Sequence, residues 1–369
     1  MKKIQTALAA LCLIFGITGS AWSFDLSPKG TKFDQDAVKA WSGWLDNILS
    51  SLANRGLQKF KEPVHEEITH RIHNCNYERS TICGDPDAPF ATQYVIAGVR
   101  WNDDPPFQMN ADQARGMSCK TGYPDGRKMT IRFITQPKCW VELFLHGEGQ
   151  IKKDAAVKFD QTNQSALPLR SHFGDLQFLH SMASSDGEEP ADTRRKILGW
   201  AEFAWGVVQG RFTLETWIKD IAQPVVQQFL GGSGWRVQDL FALGDPSLRA
   251  YIGDVAFGSL LHMVEDSFAA GHIERLEPAQ GAQCSGSTLL APGPIVEFHS
   301  YTHQSPSNHA DADTRDAFVN NRLAPDVVDV GRVLVSLRRA NANWPEVEAY
   351  LKCVYNPAPT IRAASAGSF

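Results

Sequence analysis

The stretch LLHMVEDSFAAGHIER, residues 260–275, sets His262, Asp266 and His272 at the spacing H-x3-D-x5-H inside an otherwise apolar, small-residue run. Ionisable groups enter such a segment only when each finds a partner, because a buried charge without one is strongly disfavoured. Positions i and i+4 share one face of a helix, so the His262 imidazole and the Asp266 carboxylate converge. Gly271 then lets the chain bend and bring His272 alongside. A carboxylate between two imidazoles is the arrangement expected of a metal cluster, since one oxygen ligand can bind two cations while each nitrogen fixes one. A helix-face histidine held by a neighbouring aspartate accounts for the same residues equally well, and the remaining histidines decide between the two.

The chain carries 11 His, and all but His146 fall in islands. PVHEEITHRIH holds His65, His70 and His73; HFGDLQFLH holds His172 and His180; FHSYTHQSPSNHADAD holds His299, His303 and His309, the last in H-x3-D with Asp313. RWNDDPP adds Asp103 and Asp104. The set offers nitrogen and oxygen ligands, and no C-x2-C spacing argues for thiolates. That donor chemistry suits a catalytic zinc cluster better than a closed structural site.

Apolar spacing along most of the chain is helical. Val38, Trp41, Leu45, Ile48 and Leu52 recur at steps of three and four, predicting a helix from near Asp34. DTRRKILGWAEFAWGVVQG repeats the pattern through Ile197, Trp200, Ala201, Ala204 and Val208, with Asp192 as the candidate cap, and DVVDVGRVLVSLRRA does so again. The expectation is an all-α fold: a single multi-helix domain over residues 24–355 with inserted loops and a metal cluster in a cleft between helices. The loops are residues 102–139, with short strands around MTIRFIT, and residues 276–297. The tail NPAPTIRAASAGSF, residues 356–369, lacks periodicity and bulk and is expected to be disordered.

Residues 1–23 have the charged, apolar and cleavable regions of a secretory signal peptide, which predicts a secreted protein. Cleavage after Ser23 leaves Phe24 at the amino terminus and cleavage after Ala21 leaves Trp22. Either removes Lys2 and Lys3 and makes the chain more acidic than its formal net charge of −5, so nucleic-acid binding by bulk charge is not expected. Beyond the signal no apolar run is long enough to span a bilayer. Six cysteines remain after the signal, and an exported chain should pair them. Local loop closure favours Cys75 with Cys83 and Cys119 with Cys139, leaving Cys284 to Cys353.

Taken together these islands resemble the zinc-dependent phospholipase C and P1/S1 nuclease superfamily. His262-x3-Asp266-x5-His272 has the spacing of its central signature, and His309-x3-Asp313 fits the H-x3-E/D motif that follows. FHSYTH resembles that later motif too, with His303 in place of its carboxylate, so His299 competes with His309. PVHEEIT resembles the early motif with a zinc-binding histidine, pointing to His65. GVRWNDDP resembles the segment supplying an early aspartate, Asp103, as ligand or base, and FLHSM the segment supplying His180. The resemblance covers roughly residues 60–320. It implies an all-α zinc enzyme that hydrolyses phosphodiesters with two or three zinc ions. In the family an amino-terminal tryptophan ligates zinc close before the first histidine, whereas Trp22 or Phe24 lies well upstream of His65. HFGDLQFLHSMASSDGEE and GVRWNDDPPFQ look closer to the secreted bacterial phospholipases C than to the nucleases. The implied substrate is a phosphatidylcholine-type phospholipid at a membrane or micelle surface. The alternatives are a single-strand nuclease and a non-catalytic exported metal-binding protein.

Overall fold

A computed structural model describes residues 63–73, 90–154, 156–305, 309, 312, 314–320 and 324–369. The signal segment with Trp22 and Phe24, the helix expected from Asp34, Cys75, Cys83 and Asp313 lie outside these residues. The described chain is mostly helical. Its helices are α1 (Val64–Ile72), α2 (Gln93–Val99), α3 (Pro137–Lys153), α4 (Leu167–Phe173), α5 (Pro190–Val208), α6 (Pro224–Leu230), α7 (Val237–Phe241), α8 (Ile252–Asp266), α9 (Arg315–Asn320), α10 (Val327–Arg339) and α11 (Trp344–Val354). Strands β1 (Ile273–Arg275) and β2 (Ile295–Phe298) form one antiparallel pair. Among the described residues no helix is long and apolar enough to cross a membrane.

Helix α8 occupies the centre. From Val255 to Asp266 every residue is buried, because α1, α2, α5, α7 and α10 all pack on it. Its closest neighbour is α2, and two glycines make that approach possible. A Cβ on Gly98 would lie 2.0 Å from the Val255 carbonyl oxygen, and one on Gly258 would lie 2.1 Å from that of Val95. With hydrogen at both positions the two backbones touch. The acidic residues of α1 that enter this interior are paired: Glu66 with Arg100 at 2.8 Å, and Glu67 with Arg315 at 2.9 Å.

Four expectations differ from the observed fold. Helix α5 starts at Pro190 rather than being capped by Asp192, which sits in its first turn; the proline ring presets the first helical φ and moves the start three residues back. MTIRFIT forms only the isolated bridge of Ile131 with Phe107, and Ile131 and Phe133 instead bury themselves in a second apolar cluster with Phe107, Trp140, Phe144 and Phe173. Alternating apolar residues serve burial there without a ladder. The β-strands lie instead on either side of the 276–297 loop and take in its last three residues. The tail is ordered, since Ala358 donates to the Ile295 carbonyl at 2.7 Å, Arg362 to that of Val296 at 2.8 Å, and Ser300 to that of Ser365 at 2.8 Å. An edge strand with open backbone groups supplies the order that tail composition does not.

Cys119 is bonded to Cys139 and Cys284 to Cys353, as loop closure predicts.

Candidate metal centre

Asp266 closes α8 at the bottom of the interior, and histidines from four segments surround its carboxylate. His262, one turn earlier on the same face, places Nε2 at 3.0 Å from Oδ2. His180, which ends a 3-10 turn (Gln177–His180), donates from Nδ1 to Oδ2 at 2.8 Å. His65, at the start of α1, sets Nε2 at 3.3 Å from Oδ1, and His272 sets Nδ1 at 3.7 Å from Oδ1. All five residues are buried.

Each ring is oriented from behind. His262 donates from Nδ1 to the Val99 carbonyl at 2.7 Å, a contact that depends on the glycine-lined approach of α2 to α8. His272 donates from Nδ1 to the His180 carbonyl at 2.7 Å. His65 donates from Nδ1 to Glu265 at 2.6 Å, and Thr69 donates to the other Glu265 oxygen at 2.7 Å. A carbonyl only accepts, so Nδ1 of His262 carries the proton and its Nε2 presents a lone pair to Asp266. Both electron-rich atoms, 3.0 Å apart, turn to the His180 Nδ1–H, which lies 3.1 Å from Nε2 and 2.8 Å from Oδ2, and a cation can take that proton's place.

Asp103 adjoins the same group, with Oδ1 3.8 Å from His180 Nδ1 and Oδ2 3.8 Å from His262 Nε2. Its neighbour Asn102 fixes it in place, donating to the carbonyls of Leu179 at 2.7 Å and Ser259 at 3.1 Å while accepting from the Ser259 hydroxyl at 2.6 Å. Ser181 takes the left-handed conformation (φ 55°) directly after His180 and shares a 2.8 Å hydrogen bond with Tyr355. That strained residue turns the chain so that His180 faces inward.

Three overlapping triads can hold metal ions: His65 with Asp103 and His262, Asp103 with His172 and His180, and His180 with His262 and Asp266. Shared members make them one continuous cluster. The donors are nitrogen and oxygen only, His180 Nε2 and Asp266 Oδ1 have no hydrogen-bond partner among the described residues, and the set fits a divalent ion of borderline hardness.

The electrostatics follow from burial and these contacts. Burial holds His180 and His262 down to about 4 and His172 down to about 3. Burial also acts against protonating His65, but the facing Asp266 and Glu265 carboxylates outweigh it and hold the ring well above its ordinary value. Burial favours a neutral Asp266; the surrounding His272, His262 and His65 reverse this and hold its carboxyl well below the usual range. In the metal-free protein a proton on His65 thus balances the Asp266 charge.

Of the residues singled out in the sequence, His65, Asp103, His180, His262, Asp266 and His272 meet at this centre. His309 lies beside it, its ring stacked on His272 at 4.9 Å between centroids; a Cβ on Gly271 would come within 2.9 Å of its Nδ1, so Gly271 gives room to His309 as well as to the turn. His299 points elsewhere, donating to the Gly271 carbonyl at 3.1 Å within a separate group with Glu274 and Glu297. His303 is exposed and paired with Asp186. His73 donates to the Thr69 carbonyl at 2.9 Å at the end of α1. Residues that the motifs did not single out for the site are His172, which joins Asp103 and His180, and the supports Glu265, Thr69 and Asn102. Glu265 stands in the quoted stretch beside Asp266, and Asn102 beside Asp103, so adjacency to a ligand was the available signal.

Comparison of the chain with protein-family models, with curated proteins and with solved structures found no match.

Proposed function

We propose that this chain is a secreted zinc-dependent phosphodiester hydrolase, a phospholipase C that cleaves phosphatidylcholine-type lipids to diacylglycerol and phosphorylated headgroup. The observation that carries the reading is the lone pair of His262 Nε2 held 3.0 Å from the Asp266 carboxylate by a backbone-fixed tautomer, within a buried set of nitrogen and oxygen donors. His65, Asp103, His180, His262, Asp266 and His272 would hold the ions, with His309 beside them and Asp313 following it in sequence. Bound zinc supplies an acidified water and positive charge opposite the phosphoryl oxygens.

The protein's own groups do the rest. Val99, Glu265 and the His180 carbonyl hold His262, His65 and His272 in single orientations, which avoids reorganisation during the reaction. Asp103 Oδ2, 3.8 Å from His262 Nε2, is placed to accept a proton at the edge of the cluster. The choline headgroup is cationic and compatible with a chain of net charge −5, whereas a polyanionic strand gains nothing from it. The two disulfides agree with an oxidising compartment.

The test offers phosphatidylcholine micelles and single-stranded DNA to the same zinc-loaded sample. Phosphocholine release that stops with chelator and returns with zinc is expected. Nucleotide release without lipid turnover would move the chain to nuclease activity, and zinc retention with neither product would leave a metal-binding protein.

A further inference from the structure

On the far side of the His272 turn, β1 and β2 set two glutamates directly opposite one another: Glu274 pairs with Glu297 in the ladder register. Like charges facing across a strand pair repel. Glu297 is buried, so the repulsion is poorly screened there. His299 follows two residues later on β2's side of the chain. It is 2% exposed, its Nδ1 is committed to the Gly271 carbonyl, and its Nε2 has no hydrogen-bond partner among the described residues. One ligand atom from each of Glu274, Glu297 and His299 lies within 4.8 Å of the others. The three line a cavity of about 640 Å³, closed on one side by the tail residues Arg362, Ser365 and Gly367.

Arg362 reveals what this arrangement is suited to hold. Its guanidinium donates to Glu297 Oε2 through Nε at 2.9 Å and Nη2 at 2.7 Å, and reaches Glu274 with the same Nη2. It therefore sits where a positive charge neutralises both carboxylates, yet its side chain is 55% exposed and can swing out. With Nδ1 donating, His299 Nε2 is an acceptor, and the Arg362 donors go to the two carboxylates and not to it. The buried His299 nitrogen is left over from that pairing, an open lone pair beside two carboxylates.

We propose that Glu274, Glu297 and His299 form a second divalent-cation site, separate from the Asp266 centre, in which Arg362 takes the place of the ion in the metal-free protein. Two carboxylates and one imidazole suit zinc-class ions better than calcium. The ion enters as the guanidinium leaves, and no bond is made or broken other than coordination. Because Arg362 also anchors the tail to β2 through its backbone, occupancy of the site and position of the tail are linked.

The experiment titrates zinc into chelator-stripped full-length protein against a chromogenic competitor, comparing wild type with Arg362→Ala. The variant should bind zinc at this site about tenfold more tightly than wild type does, the factor for removing one charge-assisted competitor. Adding the surface substitution Glu274→Gln to Arg362→Ala should abolish the gain. Repeating the pair in an Asp266→Ala background should preserve it, which separates this site from the Asp266 centre. Identical zinc stoichiometry and affinity in wild type and a folded Arg362→Ala protein would overturn the proposal, as would a gain that survives Glu274→Gln.

Discussion

His65 is held between two consecutive residues of α8, with Nδ1 at 2.6 Å from Glu265 and Nε2 at 3.3 Å from Asp266. Neighbouring helical residues normally point about 100° apart, and the end of α8 reconciles them by letting one ring lie across both carboxylates. Glu265 therefore acts on the centre through His65.

Replacing Glu265 with glutamine keeps size and removes the charge that orients the imidazole. Zinc affinity should fall by about 10–100-fold, the usual effect of losing such a support, while the helical circular dichroism signal stays close to wild type. An unchanged zinc affinity would show that His65 needs no help from Glu265.

Gly258→Ala tests the helix contact on which the centre is built. The added methyl would lie 2.1 Å from the Val95 carbonyl oxygen, so α2 and α8 must separate. Overpacking of this kind costs about 1–3 kcal/mol, and chemical denaturation should register it. The separation also draws Val99 away from His262, so zinc affinity should fall with stability. A variant of wild-type stability would contradict the close approach.

The metal-free protein should be acid-sensitive. His180 and His262 at about 4 and His172 at about 3 lie below the ordinary value of 6.5 that they regain on unfolding. As pH falls below 6.5 the unfolded chain takes up protons that the folded chain refuses, so stability drops between about pH 6.5 and 4. His65 is raised instead and works in the opposite sense, adding stability below 6.5 that is lost as pH rises through its folded value. His73, His299 and His309 are lowered too, while the buried Asp104 carboxyl, raised to about 7, works with His65; the lowered rings outnumber these, and the thermal midpoint of chelator-treated protein should fall over that range. A flat profile would mean that these rings are charged in the folded state.

Peptide mapping without reduction should recover Cys119 linked to Cys139 and Cys284 linked to Cys353, with no alkylated thiol among the four. Replacing Cys284 and Cys353 by serine opens a loop spanning 69 residues and should lower stability by about 2–4 kcal/mol. Labelling of any of the four in the native protein would contradict the pairing.

Much of the centre was legible because helical spacing is a geometric statement: H-x3-D puts His262 and Asp266 on one face wherever α8 goes. His65 and His180 were found as members of islands, but their contact with Asp266 is a tertiary fact. The acceptors that fix the rings were hidden for a plainer reason, since a backbone carbonyl such as that of Val99 has no letter of its own. His172, although in an island, was passed over for His180, because its contact with the Asp103 carbonyl at 2.9 Å is a tertiary fact as well. The tail was misread because its order comes from the open edge of β2, a property of a partner segment and not of residues 356–369 themselves.

The groups around Asp266 come from α1, the Asp103 turn, the His180 turn and α8, brought together largely by the touching backbones of α2 and α8. An unfolded chain therefore offers no preassembled chelate, and an ion that binds there binds the native state alone. Free metal concentration then becomes a thermodynamic handle on folding itself: each tenfold excess over the dissociation constant adds about 1.4 kcal/mol. The same sequence would be more or less durable according to the metal supply of the compartment it reaches.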